Sequence, residues 1–211
     1  MRYKIEDIKK IVSKYINVTS IEYIGEGNHC QAFCINDIVV VKMPKNQKAS
    51  LCLKTEMQVL GALKGKFDVQ IPNVLFSGEY TFNAQNLCFY ASTKLSGKKL
   101  DKKTFSKLPL DIKLKNADII AKFLHTLHNQ KNVFVLPKKN LAVLHGDFSL
   151  NHILFDDENI VCGILDFADA KVGKISTDFM YLLDDQDDEE FGLDFGEMVQ
   201  RIYNTYEIEK N

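Results

Sequence analysis

Two short segments gather the side chains that can do acid–base and metal chemistry. The first is His145-Gly146-Asp147-Phe148-Ser149-Leu150-Asn151-His152, and the second is Ile164-Leu165-Asp166-Phe167-Ala168-Asp169. Asp147 and His152 are five positions apart, and Asp166 follows Asp147 by nineteen. Each aspartate closes a short apolar run, 141–144 or 160–165. A strand that ends in a loop presents side chains to a cleft while holding the backbone still. Phosphoryl transfer needs a carboxylate to orient and deprotonate the attacking hydroxyl, and ligands for a Mg²⁺ that spans the β- and γ-phosphates. Asp147 suits the first role, His152 and Asp166 the second, although imidazole is a softer ligand than Mg²⁺ usually takes. Each residue alone reads equally well as a turn aspartate or a solvated histidine. The joint pattern carries the chemistry.

The N-terminal half supplies complementary groups. Gly25 and Gly27 flank Glu26 between two apolar stretches, and glycines there let a backbone approach phosphates closely, although a hairpin turn needs the same residues. Lys42 lies in the run Val39-Val40-Val41-Lys42-Met43, and Glu56 follows it by fourteen residues. An ammonium on a buried strand needs a partner, because an unpaired buried charge is costly. A Lys–Glu pair that holds nucleotide phosphates is the kinase arrangement. The alternative is an edge-strand lysine in water.

These groups require positioning elements, and the periodicity supplies them. Apolar residues at helical spacing predict a helix over 4–16, with Ile5, Ile8, Val12 and Tyr15 on one side. Alternation predicts strands at 20–24, 31–35 and 38–43, with a hairpin at Asn36-Asp37. A helix follows over 49–64, then strands at 73–79 and 87–93. Beyond Ser96-Gly97 the pattern turns helical, at 111–129 and again at 194–208. The reading is an α+β chain in two unequal halves, 1–95 and 96–211.

Composition narrows the class. The 211 residues are 45% hydrophobic, enough for one core or two small lobes. Lys+Arg (27) nearly balance Asp+Glu (28), so no dominant basic field exists for nucleic acid. The sequence has no apolar run long enough to span a bilayer and no signal-peptide pattern at its start. Five scattered cysteines without a Cys-x-x-Cys pair suit a reducing compartment, so a cytoplasmic location without membrane attachment is expected.

The sequence resembles the aminoglycoside phosphotransferase family of the protein-kinase-like fold, and most closely the subgroup acting on the 2-double-prime hydroxyl. The resemblance is carried by 144–156, by 163–170, by Asp178-Phe179-Met180-Tyr181-Leu182-Leu183, by the helix end Phe123-Leu124-His125-Thr126-Leu127-His128, and by Thr93-Lys94-Leu95-Ser96-Gly97. It implies a two-lobe fold, with an N-terminal antiparallel sheet plus helix and a mainly helical C-terminal lobe. It implies ATP or GTP as donor, Mg²⁺ as cofactor, and a cationic small-molecule acceptor, an antibiotic in the family's best-known role. It implies purine contacts from the backbone of Thr93 and Leu95, and a bracing rather than catalytic role for Asp178. Histidine replaces the usual asparagine ligand in that subgroup, which accounts for His152. Asp169 and the acidic run 184–190, including Asp187 and Asp188, fall where the family binds its polycationic acceptor. A solvated loop is the alternative for that run.

Two departures bear on the acceptor. Between Gly97 and Leu144 the chain has 46 residues, fewer than the family usually carries, and the family continues through further helices after the acidic run. Ala168 stands where the third residue of an Asp-Phe-Gly motif is expected. A small-molecule kinase with a reduced acceptor site is therefore expected. A nucleotide-binding relic without efficient transfer is the alternative. A protein kinase is disfavoured, since no extended activation segment follows Asp166.

Overall fold

β-branched and aromatic residues recur through the stretches 21–44 and 74–93, and both fold into one sheet. The computed structural model describes residues 3–135, 141–184 and 190–208. The chain divides into two units, Met1–Gly61 with Pro72–Lys94, and Ala62–Ile71 with Leu95–Asn211.

The first unit is built on five antiparallel strands: β1 (Ile21–Glu26), β2 (Cys30–Ile35), β3 (Val39–Pro44), β4 (Val74–Phe82) and β5 (Gln85–Thr93), in the order β1-β2-β3-β5-β4. Asn36 and Asp37 join β2 to β3 with φ of 52° and 61°. That is the mirror-image turn whose twist matches the strands it connects. The β4–β5 hairpin uses the same geometry at Asn83 and Ala84, with φ of 48° and 59°. Alanine carries no signal for that conformation, which is why the strands run several residues closer together than the sequence pattern implies. Phe33, Val41, Met43 and Phe89 form the sealed core, and α1 (Ile5–Val12) lays Ile8 and Val12 onto it. The expected helix over 4–16 is thus shorter. Ile5 is exposed, and Tyr15 lies outside the helix and stacks on Phe76 with ring centroids 5.2 Å apart. The helix α2 (Gln47–Leu63) follows β3.

The second unit contains α3 (Lys102–Ser106), α4 (Leu110–His128) and α5 (Leu193–Ile208), with two small antiparallel pairs. One pair joins β6 (Ala142–Leu144) to β9 (Lys171–Gly173), and the other joins β7 (Ile153–Phe155) to β8 (Val161–Ile164). Phe105, Phe123, Leu127, Phe148, Phe155 and Phe167 are buried between these elements. Asn116 in α4 is wholly buried, donates to the Asn159 carbonyl and accepts from the Val161 N–H, each at 2.9 Å. This fastens the β7–β8 hairpin to α4. The expected α+β class holds, with the antiparallel sheet in the first unit and the longest helices of the second unit packed along each other. Among the described residues, no helix is long and apolar enough to cross a membrane.

Gly196 in α5 lies against the backbone carbonyl of Leu182, where an added Cβ would collide with it. Helix propensity alone favours alanine over glycine by about 1 kcal/mol. Overpacking against an atom that cannot rotate away costs about 1–3 kcal/mol, and this effect wins. Gly196→Ala is therefore expected to lower the urea midpoint without changing the slope of the transition, and a raised midpoint would show that α5 shifts freely.

Candidate active site

In the second unit the chain leaves β6 at Leu144 and enters the loop 145–152. The geometry of this loop is set by Asp178, a wholly buried carboxylate. Its Oδ2 accepts the His145 N–H and its Oδ1 accepts the Gly146 N–H, each at 2.8 Å. His128 Nε2 lies 3.0 Å from Oδ2. A buried carboxylate without such donors would not stay ionised, so the fold must supply them. Gly146 has φ of +88°, and an added Cβ would strike the Asp169 carbonyl. Both the conformation and the space demand glycine there.

Two ties bind this loop to the segment around Asp166. His145, fully buried, donates from Nε2 to the Leu165 carbonyl at 2.9 Å, and the Leu165 N–H donates to the His152 carbonyl at 2.8 Å. Asp166 itself has φ of +62°, a left-handed conformation that is strained for a residue with a Cβ. The result brings three of the residues singled out from sequence together. His152 Nδ1 is 3.8 Å from Asp147 Oδ2, and its Nε2 is 3.8 Å from Asp166 Oδ2.

The tautomer of His152 follows from its partner. Nδ1 lies 2.8 Å from the Asp147 carbonyl oxygen, which can only accept, so Nδ1 carries the proton. In the neutral ring Nε2 then directs its lone pair towards the Asp166 side. A metal-ligating imidazole is commonly fixed in this way, by a bond from its other nitrogen. Among the described residues no group of three or more His, Cys, Asp and Glu side chains forms a closed metal cage. Two protein ligands suit a Mg²⁺ that keeps waters and substrate phosphates in its remaining positions. The residues present fit that ion.

The first unit holds the other group. Lys42 is on β3, an interior strand paired with β2 and β5, and not at a sheet edge. Its Nζ lies 2.6 Å from Glu56 Oε1, with the Lys42 side chain 14% exposed and Glu56 wholly buried. The same ammonium stands 5.9 Å from the centre of the Tyr90 ring. Gly25 lies within β1 at a register irregularity, with φ of +142°. The strand thus continues through Gly25, where the sequence pattern placed the start of a turn. An added Cβ at either Gly25 or Gly27 meets nothing within 4 Å, so the space over both glycines is open. Thr93 ends β5, and its N–H donates to the Asn73 carbonyl at 3.0 Å. Leu95, in the second unit, is half-buried near Gly163.

Asp169 is exposed, with its carbonyl against Gly146. Asp187 and Asp188 lie outside the described residues. Sequence reasoning matched His128 only as part of a helix end and gave Tyr203 no role. Both prove to be buried partners of the Asp178 network, with His128 Nδ1 lying 3.0 Å from the Tyr203 hydroxyl.

Residues 130–209 match the family model described as the phosphotransferase enzyme family. The gentamicin complex of APH(2")-IIa aligns with a TM-score of 0.83 at 23% identity, covering 97% of this chain and 83% of that one. ADP-bound APH(2'')-Ib gives 0.81 at 23% identity over 95% and 82% of the two chains. The macrolide 2'-phosphotransferase MphH from Brachybacterium faecium gives 0.67 at 12% identity over 95% and 83%. The fold is that of the aminoglycoside phosphotransferases. The expected resemblance and the kinase-like architecture are thereby confirmed.

Within this aminoglycoside phosphotransferase fold, two buried groups make stability depend on pH. Burial pushes the His145 imidazole below its ordinary value, against the opposing pull of the Asp178 carboxylate. The unfolded chain takes up a proton below about pH 6.5 that the folded ring refuses, so stability declines as the pH falls through that value. Burial raises the Asp178 carboxyl, but the His128 hydrogen bond, with the Gly146 N–H, outweighs it and holds the group below the usual carboxylate range. Its contribution is complete above about pH 3.9 and is lost as the pH falls further. Urea midpoints between pH 7 and 3 are expected to fall in both windows. His145→Gln should flatten the upper window, and the difference between Asp178→Asn and wild type should be full above about pH 4 and narrow as the pH falls below it. An unchanged upper slope in His145→Gln would show that another group governs it.

Proposed function

We propose that the protein transfers the γ-phosphate of ATP or GTP to a hydroxyl of a small molecule, with an aminoglycoside as the leading candidate acceptor. The observation that carries this reading is the convergence of Asp147, His152 and Asp166 on two loops tied to each other through Leu165. The match of residues 130–209 to the phosphotransferase family model covers all three. Such transfer involves little covalent work by the protein and depends on positioning and charge.

Asp147, one-third exposed at its side chain, is reachable by an acceptor. It orients the hydroxyl and takes its proton as the new O–P bond forms and the bond from the γ-phosphorus to the β–γ bridging oxygen breaks. His152 and Asp166 would hold Mg²⁺, which when bound neutralises charge on the β- and γ-phosphates. Lys42, fixed by Glu56, offers its ammonium to the α- and β-phosphates, and the open backbone at Gly25 and Gly27 leaves room for phosphate. Because the Thr93 N–H is already engaged, a purine contact from that residue falls to its carbonyl, and Leu95 supplies the second backbone contact. Asp169, Asp187 and Asp188 attract a cationic acceptor. The gentamicin, streptomycin and kanamycin complexes of the neighbouring structures support a small-molecule acceptor of that class.

Thermal shift with Mg²⁺ and ATP or GTP, followed by phosphate release with and without aminoglycosides, tests the reading. Stabilisation by nucleotide with no phosphate release, with or without an added acceptor, would favour a nucleotide-binding module instead. Asp147→Asn is expected to keep nucleotide binding and to lose turnover by about 10²–10⁴-fold. Near-normal turnover in that variant would remove Asp147 from the reaction. Asp166→Ala should weaken nucleotide binding with Mg²⁺ far more than binding in EDTA, measured by calorimetry. Equal losses in the two conditions would refute the metal assignment.

A further inference from the structure

Asp178 does not hold the loop alone. His128, in the last turn of α4 and 5% exposed, lies between two oxygens. Its Nε2 is 3.0 Å from Asp178 Oδ2, and its Nδ1 is 3.0 Å from the phenol oxygen of Tyr203, on α5 and 4% exposed. The protons in this chain can be assigned from what each group accepts. An ionised Asp178 is an acceptor only, so Nε2 must carry a proton. A neutral ring then has a bare Nδ1, and the Tyr203 hydroxyl must donate to it. The order runs Tyr203 O–H to Nδ1, then Nε2–H to Asp178, which also accepts the His145 and Gly146 N–H groups. Every member is buried, so no water stands ready to replace a lost partner, and networks of this kind depend on being complete.

A histidine ring can turn over, which puts Cδ2 and Cε1 where Nδ1 and Nε2 stood. In that orientation Nε2–H no longer faces Asp178, and the carboxylate loses one of its three donors. The Tyr203 hydroxyl opposes this by rewarding one orientation only. Tyr203 is also anchored independently of its hydroxyl. Its ring meets His125, His128 and Phe179 edge-on, with centroids 5.7, 5.5 and 5.3 Å away. Removal of the hydroxyl alone therefore leaves the packing in place.

We propose that Tyr203 and His128 are positioning residues for Asp147: α5, through the Tyr203 hydroxyl, fixes the His128 ring, which fixes Asp178 and with it the backbone immediately before Asp147. The catalytic consequence rests on the phosphotransferase reading of Asp147, whereas the hydrogen-bond order does not.

Tyr203→Phe tests both parts. Nitrogen-15 NMR of the wild type at neutral pH is expected to show His128 protonated on Nε2 with Nδ1 bare, and the variant should lose this single tautomer. The loss of one buried hydrogen bond is expected to speed amide exchange at His145 and Gly146, and to lower phosphate release by about 3–10-fold. The Kd for nucleotide should stay within about twofold, since no group that touches nucleotide is altered. A wild-type His128 protonated on Nδ1 alone would overturn the proposal, even if the variant did not fold. So would unchanged amide exchange at both residues, or a loss of nucleotide affinity as large as the loss of turnover. If the wild type releases no phosphate at all, the phosphotransferase reading fails by itself, and the tautomer and the exchange rates still decide whether the coupling exists.

Discussion

The buried carboxylate of Asp178 is the constraint on which the candidate active site depends. A charge removed from water must be met by donors, and in this fold two of them are backbone N–H groups of consecutive residues, His145 and Gly146. The carboxylate thus dictates the path of the chain where Asp147 emerges. That path needs φ of +88° at Gly146 and brings its Cα against the Asp169 carbonyl, which excludes any side chain. The strands on either side are only three or four residues long. Strand pairing of that length gives little rigidity, so the loop takes its definition from side-chain ties: Asp178 below it, the His145 ring across to Leu165, and His152 back onto the Asp147 carbonyl.

The first unit solves a different problem with the same physics. Glu56 is wholly buried and would be expensive to keep ionised, while Lys42 opposite it keeps a little exposure. A buried ion pair is weak evidence for stability, because hydrophobic replacements of similar volume often do as well. Its retention on an interior strand makes sense where the ammonium also serves a ligand. Asp178 serves no ligand, because its oxygens are already met by donors from its own unit. The two buried acids are therefore unlike in function. One pairs with a side chain, and the other holds backbone in place.

The parts legible in the sequence were those governed by local rules. The β2–β3 turn was announced by Asn36-Asp37, the long helices by their apolar spacing, and the loop 145–152 by the close spacing of its acidic and imidazole side chains. The misjudged boundaries lay where local rules are silent. Ala84 adopts a left-handed turn with no residue type to signal it, and α1 ends at Val12 because Tyr15 finds Phe76 outside the helix. The His128 network was out of reach for a deeper reason. His128 is separated from Asp178 by 50 residues and from Tyr203 by 75, and no periodicity relates positions so distant. A lone histidine near a helix end is also ordinary, so only the folded geometry reveals what it meets.

The histidine at position 152 gains its physical account from the same geometry. Under the proposed metal role, the residue here must close the loop by donating to the Asp147 carbonyl, and must also direct a lone pair towards the Asp166 side. An asparagine amide could do both, with its NH₂ as donor and its oxygen as ligand. Imidazole does the same with Nδ1–H and Nε2 in one rigid ring. The donor is fixed by a 2.8 Å bond to the carbonyl, and the side chain is 17% exposed. The ligand becomes softer. For an ion that also takes phosphate oxygens and water, one nitrogen ligand is a tolerable change, because most of the coordination shell stays hard. Under that proposal, histidine keeps the directions of donor and acceptor that an asparagine would give, and changes only the element at the ligand position.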